Sequence, residues 1–249
     1  MIRTIKHAGC EIIISNEEYA QNPRTEWDNM GTMVCFHNRY DLGDKEHGYD
    51  SRDFNGWGEL EAKIVKDHDP ALILPLYLYD HSGLTISTKP FSCKWDSGQI
   101  GFIFVSKTNA RREFPLTSKH NKALSGIKRA LVGAYGETPI HEESLKEIQA
   151  IIENSYFRQR ISHSILEKIK DYIEGEVKTY DDYLTGSVYS YTVEKDGEVI
   201  GSCCGFYGDE ETKDGSYMIK QAMEEAEAYV ATPVPEEINK DQLVLDIGV

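Results

Sequence analysis

The stretch that decides the fold runs from Ala71 to Lys107, ALILPLYLYDHSGLTISTKPFSCKWDSGQIGFIFVSK, the most apolar part of an otherwise polar chain. Leu72 to Tyr79, Leu84 to Thr88 and Ile100 to Ser106 are rich in the β-branched and aromatic residues that suit a pleated, half-buried surface. Asp80-His81-Ser82-Gly83 and Asp96-Ser97-Gly98 supply turns between them, because Asp caps its own backbone two residues on and Gly tolerates positive φ. The segment therefore reads as a β-meander at the centre of a sheet.

Working outward toward the N-terminus, Gly31 to Tyr40 (GTMVCFHNRY) reads as a buried strand. Val34 and Phe36 would lie on one face, and Met33, Cys35 and His37 on the other. Residues Arg3 to Ser15 read as two short strands around His7-Ala8-Gly9, and Phe54 to Asp67 as a short helix with Leu60, Ile64 and Val65 on one side. Toward the C-terminus, apolar residues at helical spacing predict helices opening at Ser118, over His141 to Glu153, and over Ser162 to Glu174 with Gly175 as terminator. The chain then returns to sheet from Val177. Lys195-Asp196-Gly197 joins Val188–Val193 to Val199–Phe206 in a hairpin, and Ser216 to Val230 forms a last helix. The expectation is an α+β fold: one twisted, mainly antiparallel sheet with helices packed on it. Residues 1–231 would form a single domain with a helical insertion over about 118–175, and 232–249 an extended tail.

Composition narrows the function classes. The chain has 249 residues, with 40% hydrophobic and 10% aromatic content, which fits a folded globular protein. No apolar run is long enough to span a membrane, and MIRTIKHAGC has no apolar core of a secretory signal. The five cysteines are odd in number and lack CxxC spacing, which points to free thiols in a cytoplasmic protein. The formal net charge of -15 argues against direct nucleic-acid binding and suits either a soluble acidic surface or a basic protein partner. Oligomeric state is not readable.

Four chemistries can be weighed. Carboxylates and imidazoles at turns (Asp28, His37, Asp80, His81, Asp96) would converge if the protein were a phosphate-ester hydrolase. Asp28, His37, Asp80 and Asp96 would then hold Mg²⁺ or Mn²⁺, with Asp80 and His81 as the catalytic pair. The loop Asp41, Asp44, His47, Asp50, Asp53 is a weaker candidate, since it lacks the calcium-loop pattern. A nucleophile at Cys35 or Ser82 has no elbow motif to support it, and Cys93, Cys203 and Cys204 read as buried, inert thiols. A small-nucleotide site could use Tyr77, Tyr79, Tyr180, Tyr183, Tyr189 and Tyr191, although alternating strand tyrosines usually pack against one another. A protein-binding surface could use Trp27, Trp95 and Tyr79, because aromatic residues are favoured interface anchors.

Three segments carry a resemblance. WDNMGTMVCFHNRYDLGD (Trp27 to Asp44), Leu74 to Lys107, and TYDDYLTGSVYSYTVE with SCCGFYGD (Thr179 to Glu194, Ser202 to Asp209) resemble a functionally uncharacterised family of tailed bacteriophages and bacterial mobile elements. The family carries no catalytic assignment, so no residue inherits a role. What the resemblance implies is context: an accessory protein made inside a bacterium, acting on a host or defence protein by binding it.

Overall fold

The structure, a computed structural model, describes residues 2–114 and 163–232. The helices expected to open at Ser118 and over His141 to Glu153, and the tail beyond 232, lie outside those residues. The described chain is α+β, with antiparallel sheets. It forms two four-stranded sheets where a single sheet was expected, each in its own compact unit. One unit comprises Met1–Gln21 with Gly186–Val249; the other is Asn22–Thr185, inserted between two neighbouring strands of the first. Among the described residues, no helix is long and apolar enough to cross a membrane.

The discontinuous unit contains β1 (Arg3–His7), β2 (Cys10–Asn16), β7 (Val188–Lys195) and β8 (Glu198–Tyr207) in the order β1-β2-β7-β8. The Asp196-Gly197 turn behaves as its sequence demands: both residues have positive φ, 52° and 86°, as a two-residue hairpin turn requires. Alternation does the rest. Ile12, Ile14, Tyr189, Tyr191 and Val193 turn to one face. There they meet Met218, Ile219, Ala222 and Ala226 of the C-terminal helix Tyr217–Ala231, whose N-cap Ser216 accepts from Ile219 N at 3.2 Å.

The inserted unit begins with the single turn α1 (Pro23–Glu26), capped by Asn22 and opened by proline. β3 (Thr32–Cys35), α2 (Trp57–His68), β4 (Pro70–Asp80), β5 (Leu84–Ser87), β6 (Ser97–Ser106) and α3 (Lys107–Glu113) follow. After the undescribed segment comes α4 (His163–Thr185), and the C-terminal helix is α5. Strand order is β3-β6-β4-β5, so the central segment is not a simple meander: β4, not β5, lies in the middle. β5 has only four residues and sits at the edge, where the Ile86 N–H donates to Asp181 of α4 at 2.9 Å instead of to another strand.

β6 is buried from Ile100 to Val105 because it has core on both faces there, which explains its apolar run. Met33, Cys35, Leu76, Leu78, Ile86, Ile103 and Val105 pack with Ile169, Ile173, Val177 and Tyr180 of α4. Val34, Phe102 and Phe104 pack with Leu60 and Ile64 of α2. The expected opposite facings of Val34 and Met33/Cys35 are those observed. By contrast, α4 runs past Gly175 to Thr185, across the region read as returning to sheet. Residues 169, 173, 177 and 180 form one buried stripe at helical spacing, and that burial overrides both the glycine and the β preference of Val177. The helix instead stops at Gly186, which has φ 73°, with the Thr185 hydroxyl donating to the Asp181 carbonyl at 2.9 Å.

Candidate functional site

The strand order brings several predicted site residues together. β6 runs between β3 and β4 and is antiparallel to both, so its first residues are flanked by the last residues of each partner: Cys35 pairs with Gly101 and Tyr79 with Ser97. A depression of about 360 Å³ opens at this end of the sheet, lined chiefly by His37, Arg39, Asp80, Trp95, Asp96 and Gln99. Backbone bonds fix its walls. Phe36 N donates to Ile100 O at 2.7 Å, and Asp80 N to Asp96 O at 2.8 Å.

The charged side chains there, and His37, already have partners. The Arg39 guanidinium donates to the Asp80 carboxylate. Asp96 faces His81 Nδ1 at 3.4 Å and accepts weakly from the Cys93 thiol at 3.8 Å. His37 stacks on Tyr40 with ring centres 5.0 Å apart, and its Nδ1 accepts from Arg39 N at 3.3 Å. Trp95 is different: it is 96% exposed, on the rim. Tyr79 is half-buried between His81 and Phe91.

Of the expected metal ligands, His37, Asp80 and Asp96 line one depression, while Asp28 is exposed on the loop after α1 and does not line it. Trp27 shares that loop and likewise does not line the depression. Among the described residues, no three His, Cys, Asp or Glu side chains come together so as to hold a metal ion. The loop Asp41–Asp53 divides its residues among separate tasks. Asp44 binds Arg24, His47 packs against Phe36 and Tyr49, and Asp50 caps a short 3₁₀ turn while pairing with Arg52. Of the tyrosines, Tyr180, Tyr189 and Tyr191 are core residues, while Tyr77, Tyr79 and Tyr183 are half-buried.

A buried polar cluster among the described residues escaped the sequence reading. Arg24, its side chain 1% exposed, donates to both Asp44 oxygens at 2.7 and 2.8 Å, to Glu176 at 3.1 Å and to the Gly31 carbonyl at 2.7 Å. Met33 N completes Asp44 at 2.9 Å, and Met30 N completes Glu176 at 2.7 Å. Burial pushes the Glu176 carboxyl up, and Arg24 with the two backbone N–H groups of Met30 and Gly31 only partly reverses that. Arg24 is the one cation in the polar stretch from Asn16 to Asn29, the only hint that it had a partner elsewhere.

Beside this cluster lies Cys35, buried, its thiol pushed up to about 12 by burial and by Asp44, an environment that disfavours the thiolate a nucleophile needs. Three other thiols differ from expectation: Cys204 is exposed on β8, Cys203 beside it is half-buried, and Cys93 is half-buried in a loop. Brief alkylation of the native protein near pH 8, followed by peptide mass spectrometry, should therefore modify Cys204 and spare Cys35. Equal labelling of both would contradict this placement.

Compared with known protein families, curated proteins and solved structures, the chain matches none. Its class is set by its own geometry: an α+β protein with a sheet-end depression in which an exposed tryptophan stands beside two paired carboxylates.

Proposed function

We propose that the protein acts by binding another protein, a basic host or defence factor of the bacterial cell, and inhibits it by occupying its surface. The observation that carries this reading is Trp95, a large indole left almost wholly in solvent at the rim of a polar concavity. Aromatic side chains so placed are the usual anchors of protein interfaces. The acidic excess of the chain suits a basic partner and would speed encounter with it. The resemblance of Trp27–Asp44 and Leu74–Lys107 to phage and mobile-element proteins supplies the cellular setting.

The test is capture of a defined partner by tagged protein, followed by affinity measurement with Trp95→Ala. The variant should keep its circular dichroism and lose about 2 kcal/mol, roughly thirty-fold in Kd. Undiminished affinity would remove Trp95 from the interface. The competing reading, a metal-dependent phosphate-ester hydrolase, is checked separately by calorimetric titration with Mn²⁺ and Mg²⁺. Saturable uptake near one equivalent that vanishes in Asp80→Ala would replace the binding proposal with the hydrolase.

A further inference from the structure

We infer that the depression beside Trp95 is a receptor for a cationic side chain, a guanidinium or ammonium group presented by the partner, and that Arg39 is its resident stand-in. This deepens the binding reading and rests on it. Arg39 stems from the loop after β3, its side chain 67% exposed, and places its guanidinium on Asp80, whose side chain is only 20% exposed. A floor carboxylate is thus held by a tethered, solvent-reached cation. The arginine end of the pair is in solvent, so a second guanidinium can take its place on Asp80 without opening the core.

What would replace it is specified by the surroundings. Asp96 offers a second carboxylate, 40% exposed and facing the weakly placed His81 at 3.4 Å. The Trp95 indole supplies an aromatic wall for a cation. Two carboxylates and an indole make a site for a guanidinium, which can bond a carboxylate through two N–H groups while its flat face lies on the ring. A volume of about 360 Å³ suits one long side chain with its attached backbone. An anion would meet Asp80, Asp96 and the overall charge of -15, and is disfavoured on all three counts.

The experiment titrates a tetra-arginine peptide into wild type, Arg39→Ala, and Arg39→Ala with Asp80→Asn, at fixed moderate salt, reading Trp fluorescence and calorimetric heat. Because Arg39 is exposed, its removal leaves the core untouched, and Asp→Asn keeps the shape of the side chain. Arg39→Ala should bind the peptide roughly three- to five-fold more tightly than wild type, because a tethered competitor has gone. The double variant should lose that gain and fall below wild type. Equal or weaker binding by Arg39→Ala overturns the stand-in role. Absence of peptide binding by every form overturns the cationic receptor itself. Either failure is distinct from failure of the protein-binding reading, which is decided by Trp95→Ala against the captured partner.

Discussion

Replacement of Arg24 by Met should destabilise the inserted unit by about 3–5 kcal/mol, the usual loss when one partner of a buried ionic group is removed. The residue sits where three separate pieces of chain meet. Its guanidinium joins Asp44 of the loop after β3 to Glu176 of α4, and it also caps the Gly31 carbonyl. Methionine restores volume but leaves Asp44 and Glu176 facing one another without a cation. Their remaining donors are the N–H groups of Met33, Met30 and Gly31. Chemical denaturation followed by tryptophan fluorescence and circular dichroism would measure the effect. A loss below about 1 kcal/mol would show that water reaches the cluster and that the carboxylates do not need the arginine. The triple replacement by apolar residues is a useful contrast, because removing all the charges together is often neutral or stabilising.

Gly101→Val should be as damaging by a steric route. Gly101 pairs with Cys35 across β3 and β6, and a β-carbon built on it would lie 1.8 Å from the Val34 carbonyl oxygen. That oxygen belongs to backbone, so no side-chain rotation relieves the clash. β3 must move away from β6, and its four residues feed the cores on both faces through Met33, Val34 and Cys35. Overpacking of a well-filled core costs about 1–3 kcal/mol and sometimes more. Because two cores open at once, the expected loss is at or above about 3 kcal/mol. Thermal unfolding compared with Gly98→Val, where a β-carbon meets nothing nearby, separates this local clash from general loss of glycine in a strand. Similar melting temperatures for the two variants would argue that β3 is not held where it is described.

Much of the architecture follows from local pattern. The strands and the α-helix of the discontinuous unit were foreseeable: alternation marks β2 and β7, Asp196-Gly197 marks the hairpin, and Ser216 marks the start of α5. What local pattern does not contain is pairing across distance. Nothing in Leu84–Ser87 says that β5 ends the sheet, because that depends on Asp181 almost a hundred positions later. Val177 and Tyr180 look like strand residues until Ile169 and Ile173 are seen to share their stripe. The division into two sheets was missed for the same reason.

The site was legible only in part. Turn-forming Asp80 and Asp96 mark strand ends, and strand ends that neighbour one another in a sheet bring such residues together, as happens here with His37. Asp28 had the same residue type and a similar polar setting, yet its loop belongs elsewhere. Arg39 and Arg24 went unnoticed because a single arginine in a polar stretch has no periodicity or spacing to mark it. Their significance lies in partners at Asp80, Asp44 and Glu176.

The insertion also puts an entropic cost on closing the first sheet. β2 cannot pair with β7 until Asn16 and Val188 meet, and closing an unstructured chain of that length costs roughly 4–5 kcal/mol of entropy. The Arg24–Glu176 link draws together points near the two ends of the intervening chain, so it acts as a clasp that shortens the span left to close. Folding of the inserted unit therefore lowers the closure cost of the discontinuous sheet, whose core is separate. Hydrogen exchange would register this as reduced amide protection along the β2–β7 ladder in Arg24→Met, in the unit to which the replaced residue does not belong.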